Sequence, residues 1–315
     1  MNCLLLGIIW RCSLKNYGEI KMRFLSPLRY PGGKAKLSPF FYELIEKNEL
    51  HDFEYAEAYA GGAGVALNLL TNRYVSAIHL NDLSYPIYSF WYSILKNTEE
   101  FCKRINNISL SIEDWNFQKK IITSAKSYNI FDVGFAAFYL NRTNRSGILN
   151  GGIIGGKSQE GKWKLDARFN RENLIKRIKL ISLFKSKIHI YNLDAIEFLN
   201  KRIKSLSNNV LIYLDPPYYE KGRELYDNHY LHNDHLEIAE VIENLEEKNW
   251  VISYDNTKPI REIYSGYDKL TYNLNYSAQE KYLGSEVIII DPKLEHPDYE
   301  QIKVIKNPNI LRSLH

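Results

Sequence analysis

Residues 213–219 read Tyr-Leu-Asp-Pro-Pro-Tyr-Tyr. The apolar run Val210–Leu214 leads into them and reads as a buried parallel strand. Two prolines cannot continue a central strand, because each lacks a ladder donor and fixes φ. The strand therefore stops at Asp215. A carboxylate (Asp215), a rigid backbone carbonyl (Pro216, backed by Pro217) and an aromatic face (Tyr218) then gather at its carboxyl end. That end is where open α/β sheets bind ligands. The set suits an exocyclic amino group on a planar base, which offers two hydrogens to acceptors and a ring face to stack on. For the tetrad alone, a strand-ending turn in which Asp caps a helix explains the residues equally well.

A second group points to a cofactor. Glu57-Ala58-Tyr59-Ala60-Gly61-Gly62-Ala63-Gly64 ends an earlier strand and opens the helix Val65–Leu70. Glycines there let backbone approach a ligand at a helix N-terminus. A dinucleotide fingerprint would need another glycine at position 67, which is Leu67, so a cofactor without a pyrophosphate fits better. Asp82 ends the next strand, 18 residues past Gly64, where such folds place the acid that binds ribose hydroxyls. Upstream, Arg29-Tyr30-Pro31-Gly32-Gly33-Lys34 makes a rigid turn that aims Lys34 and offers Tyr30 for stacking on a purine.

The elements that must position these groups are seven short β-branched or aromatic runs. They are Phe53–Tyr59, Ser76–Asn81, Lys187–Asn192, Val210–Leu214, Trp250–Tyr254, Lys269–Asn275 and Glu286–Ile290. Amphipathic helices lie between several of them. One carries Leu37, Phe40, Phe41, Leu44 and Ile45 on a single face; another carries Leu236, Ile238, Val241, Ile242 and Leu245, with Asn233 or Asp234 as its cap. The alternation predicts a mostly parallel, doubly wound α/β sheet whose last two strands form an antiparallel hairpin. Residues 86–186 break the pattern. They are helical over Ile87–Leu95, Trp115–Ser124, Val133–Leu140 and Glu172–Ser182, and contain a glycine-rich loop at Ser146–Gly156. They read as an inserted recognition subdomain. Residues 23–85 and 187–300 then form the main domain, 1–22 an extension outside the fold and 301–315 a tail.

Composition bounds the rest. No apolar run approaches the roughly 20 residues that span a bilayer. Three cysteines without Cys-x-x-Cys spacing argue for a reducing compartment and against a disulfide framework. His229, His232 and His235 stand at a helix start with few carboxylates near, so no metal site is expected. Net charge is only +4, but Asn141–Lys187 holds twelve basic and three acidic residues, a local +9 against −5 elsewhere. That is the footprint expected for phosphate-backbone contact, although a solvated helix face explains a single charge run equally well.

Together the motifs resemble the Dam-like, alpha-class adenine DNA methyltransferases from about Phe24 to Asp291. In that group the cofactor motif precedes the recognition region and the catalytic tetrad follows it. Tyr30-Pro31-Gly32-Gly33-Lys34 resembles the family's N-terminal motif and Glu57–Gly64 its S-adenosylmethionine loop. Phe138-Tyr139-Leu140-Asn141-Arg142 resembles a recognition-region signature, and Asp215-Pro216-Pro217-Tyr218 is the tetrad unaltered. The resemblance implies a seven-stranded Rossmann-like methyltransferase sheet and S-adenosylmethionine as cofactor. It implies cofactor contacts from Tyr30, Lys34, Glu57, Tyr59, Gly61, Gly62, Gly64, Asp82, Asp194 and Asp215, with Asp194 beside the cofactor's adenine ring. DNA contacts are expected from Asn141, Arg142, Arg145, Lys162 and Lys164, with Arg145 a candidate base reader. Ala58 replaces a usual proline. Thr143-Asn144-Arg145-Ser146 departs from the GATC-reading members, so GATC recognition is not inferred.

The expected activity is site-specific methylation of a flipped-out adenine in double-stranded DNA. A monomer or weak dimer is expected, located in the cytoplasm and associated with the nucleoid through DNA. A cognate restriction endonuclease is a partner the family allows. The alternatives are methylation of the cytosine exocyclic amine and a non-catalytic DNA-binding module. A protein-glutamine methyltransferase would carry Asn in place of Asp215.

Overall fold

A computed structural model describes residues 25–30, 33–220, 230–245, 247–276 and 282–297. The expected extension at 1–22, Pro31 and Gly32, most of the loop between Tyr219 and Tyr230, and the tail at 301–315 lie outside the described residues.

All seven expected strands form: β1 (Glu54–Glu57), β2 (Ala77–Asn81), β3 (Ile188–Tyr191), β4 (Val210–Leu214), β5 (Asn249–Asp255), β6 (Lys269–Tyr276) and β7 (Tyr282–Ile290). They make one sheet in the order β3-β2-β1-β4-β5-β7-β6. The first five are parallel, and β7 runs antiparallel between β5 and β6. β1 and β4 are neighbours, with Glu57 opposite Tyr213. The chain order reverses between them, so their carboxyl ends flank the crevice where doubly wound sheets bind ligands. Because β7 is antiparallel, its early residues reach that same edge, and Glu286 stands opposite Asp255 at the end of β5.

The pleat sorts side chains onto two faces. Tyr55, Leu211, Tyr213, Val251, Ile288 and Ile290 join one apolar core; Ala56, Ile212, Leu214, Ile252, Val287 and Ile289 join the other. The first core is covered by α1 (Ser38–Lys47), with Pro39 in its first turn, by α2 (Gly64–Thr71), and by the segment between β2 and β3. That segment holds α3 (Tyr85–Lys96), α4 (Thr98–Asn107), α5 (Ile112–Thr123), α6 (Ile130–Thr143) and α7 (Arg171–Ser182). The second core is covered by α8 (Ala195–Lys201), α9 (His232–Glu243) and α10 (Lys258–Ile263).

Phe90, Trp91, Phe101, Phe138 and Ile178 of the inserted helices pack into the core on the first sheet face, while Ile121, Val133 and Ala136 form a small apolar cluster between the inserted helices. The helices lock tightly where α3 meets α6, since a Cβ on Gly134 would sit 2.3 Å from the Ser89 carbonyl. The cap of α9 is Leu231, not Asn233 or Asp234; the Asp234 carboxylate reaches back to the Leu231 N–H at 2.6 Å.

Candidate active site

Alternation carries one set of polar side chains to the carboxyl edge of the first face. Glu57, Tyr213, Asp215, Ser253, Glu286 and Tyr272 follow the residues that build that core. Lys34, in the short 3-10 turn Lys34–Leu37 ahead of α1, enters this set from above. Its Nζ lies 3.2 Å from Asp215 Oδ1 and donates to Glu286 Oε2 at 2.8 Å and Oε1 at 3.0 Å. It also donates to the Tyr218 hydroxyl at 3.1 Å. The Tyr218 and Tyr272 hydroxyls both donate to Glu286. One ammonium is thus shared by two carboxylates that are themselves hydrogen-bonded, which is what a buried ion pair requires. Burial alone would push Lys34 down, but Asp215, Tyr272 and Glu286 hold it well above its ordinary range. Burial likewise works against Glu286, yet Lys34 and its hydroxyl partners keep it below the usual glutamate value.

Asp215 differs from Glu286. Its Oδ1 accepts from Ser253 Oγ at 2.8 Å as well as facing Lys34, and Ser253 is fixed by the Tyr213 hydroxyl at 2.7 Å. Its Oδ2 has no partner among the described residues, and the side chain keeps 23% of its surface. The Pro216 carbonyl also accepts no hydrogen bond there. Burial, with Glu286 adding to it, raises the Asp215 carboxyl to about 6 despite Lys34 and Ser253. Just beyond, the Asp255 carboxylate accepts the Tyr219 N–H at 2.8 Å and the Glu220 N–H at 3.1 Å, pinning the turn that follows the tetrad.

Tyr218 is only 4% exposed, with Lys34 Nζ 5.1 Å from its ring centroid. Its hydroxyl tether fixes the ring plane, and stacking on it requires the ring to be uncovered as a base enters. Tyr218→Phe removes the hydroxyl's two hydrogen bonds to charged groups, with Lys34 and Glu286, each worth about 1.5–3 kcal/mol, but keeps the ring. We expect a lower Tm with methyl transfer reduced far less than in Tyr218→Ala. Melting curves and radiolabelled methyl incorporation check this; a Phe variant as inactive as the Ala variant contradicts it.

The cofactor loop lies beside this set. Gly61 has φ +46°, and a Cβ there would come within 2.7 Å of the Tyr30 ring, so the aromatic packs directly on the glycine backbone. The Gly61 carbonyl accepts from Trp91 Nε1 at 3.0 Å. Its N–H donates to Asp82 Oδ2 at 2.8 Å, while Asp82 Oδ1 takes the Ser84 N–H at 2.9 Å. Each Asp82 oxygen keeps a lone pair for a hydroxyl. Burial raises that carboxyl to about 6 against those two N–H groups. This donor and acceptor set fits the ribose and planar base of a nucleoside-type cofactor. Three expected cofactor residues are engaged within the protein. Glu57 Oε1 accepts the Ala66 N–H at 3.0 Å in the first turn of α2, and burial pushes its carboxyl to about 8. The Tyr59 hydroxyl pairs with that of Tyr230 at 3.1 Å on the second face. Asp194 caps α8 through the Ile196 N–H at 2.8 Å.

Among the expected DNA contacts, Arg145, Lys162 and Lys164 are exposed. Arg142 is half-buried, with Nε donating to the Arg168 carbonyl at 2.7 Å. Asn141 is 1% exposed, and its amide is spent on the Arg29 backbone (2.7 and 2.6 Å) and the Gly147 carbonyl (2.9 Å), so it positions a loop from inside the fold. Sequence reasoning missed Glu286, Ser253, Tyr272 and Asp255. The available signal was Glu286 itself, a lone acid opening the buried run Val287–Ile290, since a carboxylate so placed needs a partner.

A doubly wound seven-stranded sheet with a glycine loop after β1 and an acid after β2 has the architecture of a Rossmann-like methyltransferase. The chain belongs to the D12 class N6 adenine-specific DNA methyltransferase family, whose model matches residues 30–278. It is an adenine-specific DNA methyltransferase, and membership implies S-adenosylmethionine-dependent chemistry and a DNA substrate. No curated protein matches the sequence significantly. Solved structures to which the chain shows similarity include the rRNA methyltransferase aviRa from Streptomyces viridochromogenes, at 10% identity and TM-score 0.37 over 83% of this chain and 86% of that one. A protein from Legionella pneumophila matches at 14% identity and TM-score 0.32 over 90% of each chain. Among the described residues, no helix is long and apolar enough to cross a membrane.

Proposed function

We propose that this enzyme methylates the exocyclic nitrogen of an adenine flipped out of double-stranded DNA, with S-adenosylmethionine as donor. The observation that carries the reading is the pair of open acceptors at the end of β4. Asp215 Oδ2 and the Pro216 carbonyl, on adjacent residues, have no hydrogen-bond partner among the described residues, while Asp215 Oδ1 takes both Lys34 and Ser253. An amino group with two hydrogens matches two such acceptors. The cofactor, when bound, supplies a methyl group activated on a sulfonium. Lys34 and Ser253 fix Asp215 so that Oδ2 need not reorganise as the amino nitrogen becomes positive. Electrostatic preorganisation of this kind is typically worth about 10²–10³ in rate per group. The base must leave the duplex, because its amino group is otherwise paired and stacked. Tyr30, packed on Gly61, and Asp82 are the groups suited to hold the cofactor's base and ribose. Exposed Arg145, Lys162 and Lys164 are suited to meet DNA.

Long-read sequencing of DNA from cells producing this chain tests the reading. N6-methyladenine at one recurring sequence is the expected result. N4-methylcytosine would favour the alternative base, and unmodified DNA would overturn the proposal.

The rate should also carry the Asp215 titration. The ionised carboxylate is the accepting form, and its protonation lies near pH 6 rather than near the ordinary aspartate value of about 3.9. Activity is therefore expected to fall as pH drops through about 6. A pH profile of single-turnover methyl transfer checks this, and a rate still flat at pH 5 (about one unit below that titration) would remove Asp215 from the role of acceptor.

A further inference from the structure

Four arginines from four separate stretches converge close to the cofactor loop. They are Arg29, next to Tyr30; Arg142, near the end of α6; Arg168, closing the 3-10 turn Leu165–Arg168; and Arg177 on α7. Hydrogen bonds to backbone fix their places. Arg29 is clamped by Asn141, and its Nη1 donates to the Asn144 carbonyl at 3.1 Å. Gly147, at φ +80°, approaches the Arg29 carbonyl so closely that a Cβ would sit 2.5 Å from it. Arg142 Nε holds the Arg168 carbonyl at 2.7 Å, and Arg177 Nη1 holds the Ser26 carbonyl at 2.9 Å, three residues before Arg29.

Among the described residues none of the four forms an ion pair, and the charges acting on Arg142 and Arg29 are other arginines. Burial first, then Arg29, Arg177 and Arg168, hold the Arg142 guanidinium down at about 9. Burial and Arg168 lower Arg29. The Arg177 Nε is buried with no hydrogen-bond partner among the described residues. Tying loops through carbonyls uses one donor each on Arg29, Arg142 and Arg177 and gains nothing from bringing the charges together. Gathering like charges without a counter-ion costs stability, and an anion from outside offsets that cost.

We propose that Arg29, Arg142, Arg168 and Arg177 form a site for one backbone phosphodiester of the DNA. Guanidinium forks suit phosphate oxygens better than ammonium groups do. Through Arg29 and Tyr30 the anchored phosphate is coupled to the cofactor loop, so it would fix the strand's register relative to the site of methyl transfer. The inference rests on the DNA reading above and adds Arg29, Arg168 and Arg177 to the expected DNA contacts.

Arg168 is the exposed member, so Arg168→Glu tests the site with least risk to packing. The new carboxylate would answer the neighbouring arginines, so Tm is expected to rise. DNA affinity is expected to fall about tenfold, and the slope of log affinity against log salt to become shallower by about 0.9. Arg168→Gln should move affinity and slope the same way by less. S-adenosylmethionine binding, measured by calorimetry, should not change. A variant with the wild-type affinity and salt slope overturns this inference alone. A wild-type protein with no salt-dependent affinity for duplex DNA would overturn the DNA reading, and this site with it.

Discussion

Replacing Asp215 with Ala is expected to abolish methyl transfer, with a loss of at least about 10²–10³ in rate. The variant removes Oδ2, one of the two open acceptors, and leaves the amino group with the Pro216 carbonyl alone. The fold should survive, because Lys34 keeps Glu286 at 2.8 Å as its counter-ion and the Tyr218 and Tyr272 hydroxyls stay on Glu286. Cofactor binding should weaken yet remain measurable, since Tyr30, Gly61 and Asp82 are untouched. Asp215→Asn should be inactive for a different reason. It preserves shape, but an amide can turn donors toward a substrate group that is itself a donor. Radiolabelled methyl incorporation, with melting curves on the same samples, checks both. A folded Ala variant within about tenfold of wild type would show that Asp215 is not an acceptor in the transition state.

The strands were legible because each is a short apolar or β-branched run bounded by turn residues, and a buried sheet needs just that. The start of β7 was not, since Tyr282-Leu283-Gly284-Ser285 contains a glycine that weakens any strand signal. Helix α4 also left little trace: Thr98–Asn107 is mostly polar and buries only Phe101, Cys102 and Ile105. In the site, Asp215 and the glycine loop could be read because each motif is local and its chemistry is set by residue type. The cluster around Lys34 could not. Lys34 and Glu286 are 252 positions apart, and only the antiparallel insertion of β7 beside β5 brings them together. Asn141 was legible only as a polar neighbour of Arg142 in the recognition region, because the Arg29 and Gly147 backbone groups its amide meets are brought to it by the fold.

Glu286 provides the second large expected effect, and it separates the fold from the chemistry. In Glu286→Ala the buried Lys34 ammonium loses the carboxylate it holds through both oxygens, and the Tyr218 and Tyr272 hydroxyls lose their acceptor. Breaking a buried pair from one side typically costs about 3–5 kcal/mol, which corresponds to a drop of roughly 5–8 °C in Tm for a chain of 315 residues. Asp215 would then be the remaining carboxylate facing Lys34. Glu286 is one of the groups that raise the Asp215 carboxyl, so its removal should lower that titration. The acid limb of the activity profile is therefore expected to move from about 6 toward lower pH, the direction opposite to a simple loss of structure. Glu286→Gln keeps the shape and some of the hydrogen bonds but not the charge. It should show the same shift in the pH limb with a smaller loss of Tm. Melting curves and single-turnover pH profiles on both variants give the two readouts independently. If Tm falls while the acid limb stays in place, Glu286 holds the fold together without setting the charge on Asp215. If neither moves, the shared ammonium is not what organises this site.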